Sequence, residues 1–215
     1  MDETNRNTDD QLQRRIARIL LSRGVKATTM DSVSAELGIS KRTLYEIFES
    51  KTDMVMKTQA FIERVMLDRA AQIMAEAPNV LVGLRNVSYD HVDFIDATDV
   101  RFFSDMHEFM EAQGIDHEER RRNHVDGLFG VCMSGVEQGV FRPELDYQLQ
   151  IDLLQIQMEA LKRVEEICGP GRSLAAILRL VCDSFLRAIA TRKGLDIIDE
   201  LEASSKPENT NSPIL

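Results

Sequence analysis

The chain has 215 residues, 43 % hydrophobic and 29 % charged, with 11 glycines, 5 prolines and a formal net charge of −10. That balance excludes a disordered chain, a collagen-like repeat and a disulfide-stapled mini-protein, and it suits one large domain or two small ones. No run approaches the ~20 consecutive apolar residues of a membrane-spanning helix, and the polar start MDETNRNTDD lacks the pattern of a secretory signal. Cys132, Cys168 and Cys182 have no metal-ligand spacing and cannot all pair within one chain, which suits a reducing interior. The expectation is a cytoplasmic protein with no membrane, metal or cofactor.

Apolar residues recur at three and four throughout, and no proline precedes Pro78, so the fold class is all-α. The pattern predicts about nine helices, over 10–23, 30–37, 41–48, 51–76, 79–97, 99–112, 117–139, 147–168 and 173–193. Residues 1–9 and 202–215 are polar and are read as mobile tails. The first helix carries Leu12, Ile16, Ile19 and Leu20 on one stripe and opens a basic stretch. Residues 11–51 hold eight Lys/Arg against four acids, while the other 174 residues sum to −14. A basic module on an acidic body is the charge split expected when one end meets phosphate.

The next two helices carry the function. Thr28, followed three residues later by Asp31, opens 30–37 in the manner of a capping box. Gly38 supplies the left-handed residue that ends it, and Ser40 caps 41–48. Two short helices joined by a turn of about three residues have helix-turn-helix spacing. On the second, Leu44, Ile47 and Phe48 face inward, with Arg42, Tyr45, Glu46 and Glu49 opposite. Arg42 matches guanine O6 and N7 in the major groove. Glu46 either accepts from a cytosine amine or faces solvent. Lys51, following a cap at Ser50, stands where phosphate is favoured.

The run from Leu12 to about Thr58 resembles the DNA-binding domain of TetR-family transcriptional regulators. The resemblance rests on Gly24, Thr29-Met30 before Val33, Leu37-Gly38-Ile39-Ser40, Thr43-Leu44-Tyr45, Phe48 and Ser50-Lys51. It implies that Thr29, Lys41, Arg42, Thr43, Tyr45 and Lys51 contact DNA, with Tyr45 and Lys51 mainly on phosphates; Ser40, at the tip of the same helix, joins this set. Arg42 stands where the family usually has a small residue, which implies an added base or phosphate contact. The implied organisation is a helix-turn-helix domain over 10–51 followed by a helical regulatory and dimerisation domain over 52–201.

Beyond residue 58 periodicity is the guide. In 79–97 one stripe reads Val80, Leu84, Val87, His91, Phe94, and 99–112 contributes Phe102, Phe103, Met106, Phe109 and Met110. These residues either form the core or line a pocket for an apolar or amphipathic small molecule. His91 is either a satisfied core histidine or a hydrogen-bonding group in that pocket. Gly127, Gly130 and Ser134 in 117–139 permit close backbone approach or leave room for a ligand. The helices 147–168 and 173–193 each carry two apolar stripes, one more than a surface helix of a monomer needs. The second faces either the body's other helices or an equivalent pair in a second chain; we read it as a dimer interface, involving Leu149, Leu153, Ile156, Val164, Leu178, Val181, Phe185 and Ile189. The resemblance likewise implies a four-helix interface built from the last two long helices.

The expected function is sequence-specific DNA binding by a homodimeric transcriptional repressor. Its operator would be a double-stranded inverted repeat, and a small ligand would release it. The alternatives are a regulator without such a ligand, and an α-helical enzyme or protein-interaction module with a degenerate helix-turn-helix. No catalytic residue is assigned: the chain has no phosphate-cradling glycine loop, nucleophile motif or HExxH.

Overall fold

The computed structural model describes residues 3–115, 117–161 and 173–204 and the single positions 167 and 171. Side chains are described from Asp9 onward, apart from 117–121, 123 and 124. Ten helices are present among these residues: α1 (Glu3–Arg23), α2 (Met30–Leu37), α3 (Lys41–Ile47), α4 (Lys51–Glu76), α5 (Val80–Asp96), α6 (Val100–Ala112), α7 (His117–Glu137), α8 (Tyr147–Ala160), α9 (Leu174–Ile189) and α10 (Arg192–Ser204). No helix among the described residues is long and apolar enough to cross a membrane. The first helix begins at Glu3, before the expected residue 10. The far end of the predicted 147–168 helix lies largely outside the described residues, as do 205–215.

The chain divides into two compact units. One holds the residues up to Arg69 together with Ala97–Ile115; the other holds Ala70–Asp96 and the described residues from 117 to 204. The first unit is thus larger than the 10–51 module read from the sequence. Its centre is made of Ile16 and Leu20 from α1, Val33 from α2, Leu44 from α3, Phe48, and Met54 and Val55 from α4, all fully enclosed. Two polar ties cross this core: the Thr58 hydroxyl donates to Gln13 Oε1 at 2.9 Å, and the Thr28 hydroxyl to the Gly24 carbonyl at 2.8 Å.

The helix α6 packs on α1 within this first unit. The Asp99 N–H donates to the Leu21 carbonyl at 2.9 Å, and Asp105 accepts the Lys26 N–H at 2.8 Å. Gly24, at φ +82°, leaves the space this needs, because a Cβ there would lie 2.6 Å from the Asp105 carboxylate.

In the second unit α5 lies along α9, and α7 and α8 complete the layer. Leu81, Cys132, Phe141, Ile151, Leu186, Ile189 and Ile198 meet in its core. Burial pushes the Cys132 thiol up to about 11, so it stays protonated as an apolar core group.

The predicted helix over 173–193 is instead two helices, divided at Ala190-Thr191. The break has long-range partners: Arg142 N–H donates to the Ile189 carbonyl at 2.9 Å, and Thr191 N–H to the Val140 carbonyl at 3.0 Å. Thr191 Oγ1 then accepts from Gly194 N–H at 3.1 Å and caps α10. Apolar periodicity runs through the break and hides it from the sequence.

Candidate nucleic-acid interface

The turn that presents the interface is set by local chemistry. Thr29, in extended backbone, caps α2. Its hydroxyl accepts from Ser32 N–H at 3.1 Å while Ser32 Oγ accepts from Thr29 N–H at 3.0 Å. The capping box therefore sits one residue later than the Thr28–Asp31 pair read from the sequence. Thr28 is buried with its hydroxyl turned back to Gly24, which removes it as a cap. Gly38 ends α2 in the left-handed region at φ 71°, and its N–H donates to the Ala35 carbonyl at 3.2 Å. A Cβ at Gly38 would meet nothing within 4 Å, so only the backbone conformation demands glycine. Gly38→Ala is expected to cost about 1–2 kcal/mol and to lower Tm by roughly 2–4 °C per kcal/mol in a calorimetric scan. An unchanged Tm would remove this account of the turn.

Ser40 caps α3 by accepting from Thr43 N–H at 3.0 Å, and its hydroxyl lies 2.9 Å from Thr43 Oγ1. Leu44 and Phe48 anchor the helix, while Lys41, Arg42, Thr43, Tyr45 and Glu46 are exposed on its remaining surface. Ile47 is exposed too, contrary to the inward position expected for it. So short a helix rests on one line, and Ile47 stands about 100° round from Phe48, at the edge of that contact. Arg42 is the most open cation of the helix, with its side chain 90 % exposed and its Nε 3.0 Å from Glu46 Oε1. Thr29, Ser40, Lys41, Arg42, Thr43 and Tyr45 are thus all exposed on the turn and α3.

Lys51 is placed differently. It is half-buried, and its Nζ points to the Lys26 carbonyl, 3.5 Å away. Burial pulls its amine below the usual lysine range, against the opposing charge of Asp105. The cap expected at Ser50 is present: Asp53 N–H donates to Ser50 Oγ at 3.1 Å, and Asp53 accepts from Glu49 N–H at 3.1 Å.

Several of the basic residues counted from the sequence hold the module together. Arg15, whose role the sequence reading missed, donates to the Glu36 and Leu37 carbonyls at 3.1 Å each, where a cation favours a helix C-terminus. Arg23 pairs with Glu36 and Lys41 with Asp31. Exposed pairs of this kind contribute about 0–1 kcal/mol, so the Lys41 and Arg42 side chains are only weakly held by theirs. Arg42→Ala is expected to weaken operator binding by about 1–3 kcal/mol and to relax preference at one base position. Fluorescence anisotropy over single-base operator variants measures this, and an equal loss on every sequence would reassign Arg42 to phosphate.

The residues read as a pocket are divided between the two units. Phe102, Phe103, Met106, Phe109 and Met110 belong to the first unit, and Val87, His91, Phe94 and Gly130 to the second. His91 is exposed, with its ring 6.4 Å from that of Phe94. The deepest line of α5 runs through Leu81, Arg85 and Val92; of the expected stripe Val80 and Phe94 are buried, while Leu84 and Val87 are half-buried. Both lines are apolar enough to serve, and the packing against α9 selects between them. Gly130 is exposed, and among the described residues nothing lies within 4 Å of a Cβ there; on α7 the close approach is made by Gly135.

Of the residues read as a dimer interface, Leu149, Leu153 and Ile156 are exposed on α8. Leu178, Phe185 and Ile189 are buried within the chain instead, because α9 turns them toward its own core, and Val181 is half-buried. Val164 lies outside the described residues. Leu180, which the expected interface did not include, is exposed on α9.

Two short helices, a glycine turn between them and an exposed cationic face define a helix-turn-helix DNA-binding module. The sequence model described as "Bacterial regulatory proteins, tetR family" matches residues 15–57. Residues 15–57 thus match the DNA-binding domain of TetR-family regulators, and the proteins the chain is similar to are transcriptional regulators. The chain is similar to the HTH-type transcriptional repressor KstR2 of Mycolicibacterium smegmatis, at 28 % identity over 144 residues, which span 65 % of this chain and 70 % of that protein. Its fold resembles that of the ketosteroid transcriptional regulator KstR2 of Mycobacterium tuberculosis, with a TM-score of 0.55 at 21 % identity over 89 % of this chain and 98 % of that one. A second likeness of fold is to FadR from Bacillus subtilis in complex with stearoyl-CoA, with a TM-score of 0.54 at 13 % identity, covering 83 % of this chain and 98 % of that one.

Proposed function

We propose that the chain acts in the cytoplasm as a homodimeric repressor that reads an inverted-repeat operator and is released by a small apolar or amphipathic ligand. The observation that carries the reading is the exposed face of α3, where Arg42, Thr43 and Tyr45 surround a helix anchored only through Leu44 and Phe48. Dimerisation is supported by the apolar residues exposed on the packed pair α8 and α9: Leu149, Leu153, Ile156 and Leu180. Two linked modules read half-sites about 34–36 Å apart, one turn of DNA. Repression is supported by the similarity to KstR2 repressors, and a ligand by the likeness of fold to a regulator that holds stearoyl-CoA.

Release follows as a population shift. A ligand that prefers one arrangement of the central helices moves α4, whose N-terminal part belongs to the DNA-binding unit, and the two copies of α3 then no longer match the groove spacing.

Selection of bound fragments from random duplex DNA tests the first part. The expected product is a two-fold symmetric site whose affinity falls steeply with salt. Enrichment of single, asymmetric half-sites would overturn the dimeric reading, and no enrichment would overturn operator recognition.

A further inference from the structure

The regulatory unit carries a positive charge where apolar packing alone would place a leucine. Arg85 lies on the α5 line between Leu81 and Val92 and is only 6 % exposed. Its guanidinium carbon stands 4.3 Å from the centroid of the Tyr89 ring, and Nη2 donates to the Tyr89 hydroxyl at 3.1 Å. That hydroxyl in turn donates to Asp183 on α9, 2.9 and 3.0 Å from its two oxygens. Among the described residues no carboxylate pairs with Arg85, and its buried Nε has no acceptor.

Arginine keeps its proton at any accessible pH. An enclosed cation without a direct counter-ion is disfavoured, and stacking on a phenol offsets only part of that cost. The network continues outward from Arg85. The guanidinium of Arg179 stands 4.8 Å from the Tyr89 centroid and pairs with Asp93, both of them half-exposed. Two guanidiniums around one phenol therefore lead from the rim of the α5–α9 seam to its interior. Phosphate and carboxylate oxygens are the groups a guanidinium binds through paired N–H donors.

We propose that Arg85 anchors an oxyanion at one end of the releasing ligand, with Tyr89 positioning the guanidinium and Arg179 meeting the anion at the rim. The proposal rests on the ligand-release reading and adds its chemistry: an apolar body ending in a carboxylate or phosphate. Nε, which has no acceptor among the described residues, is available as one of the paired donors, and the exposed Arg179–Asp93 pair is weak enough to open as the anion enters.

The test uses the full chain with four probes: dodecanoate and cholate as carboxylates, dodecanoyl-CoA as the phosphate carrier, and dodecanol as the neutral counterpart. Titration calorimetry measures their binding, and anisotropy on the selected operator measures release. At least one anionic probe is expected to bind the natural chain and to bind Arg85→Met at least tenfold more weakly, with dodecanol unchanged. Which anionic probe responds separates carboxylate from phosphate. Arg85→Lys, which keeps the charge and loses the paired donors, is expected to show an intermediate loss, and stands in if Arg85→Met does not fold. Operator binding without probe shows that each variant is folded.

Equal affinity of the natural chain and the variants for every anionic probe would overturn the inference, as would binding of dodecanol alone, and either result leaves ligand release standing. If no probe binds or loosens the operator complex, both readings fall.

Discussion

A chain carrying Leu153→Lys and Ile156→Lys is expected to run as a monomer and to bind its operator about 10²–10⁴-fold more weakly than the natural chain. Both side chains lie on the solvent face of α8, 51 % and 67 % exposed, while the opposite side of that helix buries Tyr147 and Ile151 in the chain's own core. Lysine at these positions therefore costs the isolated fold little. In a two-fold dimer the same face meets itself, so the two changes place four ammonium groups in one apolar contact. Desolvating charges without partners costs several kcal/mol each, more than burial of a few leucines contributes at about 25 cal/mol per Å². Affinity for DNA falls with it, because a lone module loses the effective concentration that the first half-site lends the second. Sedimentation velocity and operator anisotropy measure the two effects. A variant that still sediments as a dimer would move the interface elsewhere.

The second large effect is expected at Gly135, where Gly135→Ala should lower stability by about 2–3 kcal/mol. Gly135 is buried near the end of α7, and its carbonyl accepts the N–H groups of Val140 and Phe141 at 3.0 and 3.1 Å as the chain reverses. A Cβ here would sit 2.0 Å from the Phe141 ring, which is wholly enclosed in the core cluster. The ring has no room to yield, so overpacking at about 1–3 kcal/mol outweighs the gain of up to ~1 kcal/mol that alanine brings to a helix. At roughly 2–4 °C per kcal/mol for a chain of this size, Tm should fall by about 4–12 °C. The control is Gly127→Ala on the same helix, where a Cβ meets nothing within 4 Å and only the helical gain remains. If both variants shift Tm alike, the contact with Phe141 is not what requires glycine.

The pair also shows where the sequence is silent. Gly127, Gly130 and Gly135 look equivalent along α7, and only the position of Phe141 separates them. Arg85 is a related case: a charge on an apolar stripe is visible in VLVGLRNVSYDHVDF, but a second apolar line through Leu84 and Val87 gave the helix another way to turn. The apolar stripes of α8 and α9 follow the same rule: α8 leaves Leu149, Leu153 and Ile156 exposed, while α9 turns Leu178, Phe185 and Ile189 inward and leaves Leu180 outside.

What the amino-acid order determined by itself is the helix-turn-helix and the all-α class. The signals there act over three or four residues: a hydroxyl reaching an N–H at Thr29 and Ser40, a left-handed glycine at position 38, and apolar side chains spaced to one face. Tertiary structure alone decided which of two apolar lines of α5 and α9 faces inward, where the last helix breaks, and that Arg15 ties α1 to the end of α2. Those outcomes depend on partners tens of residues away, such as Val140 for Thr191 and Asp183 for Tyr89. A local pattern is satisfied equally well by several such arrangements, and the free energy of long-range burial and hydrogen bonding chooses among them.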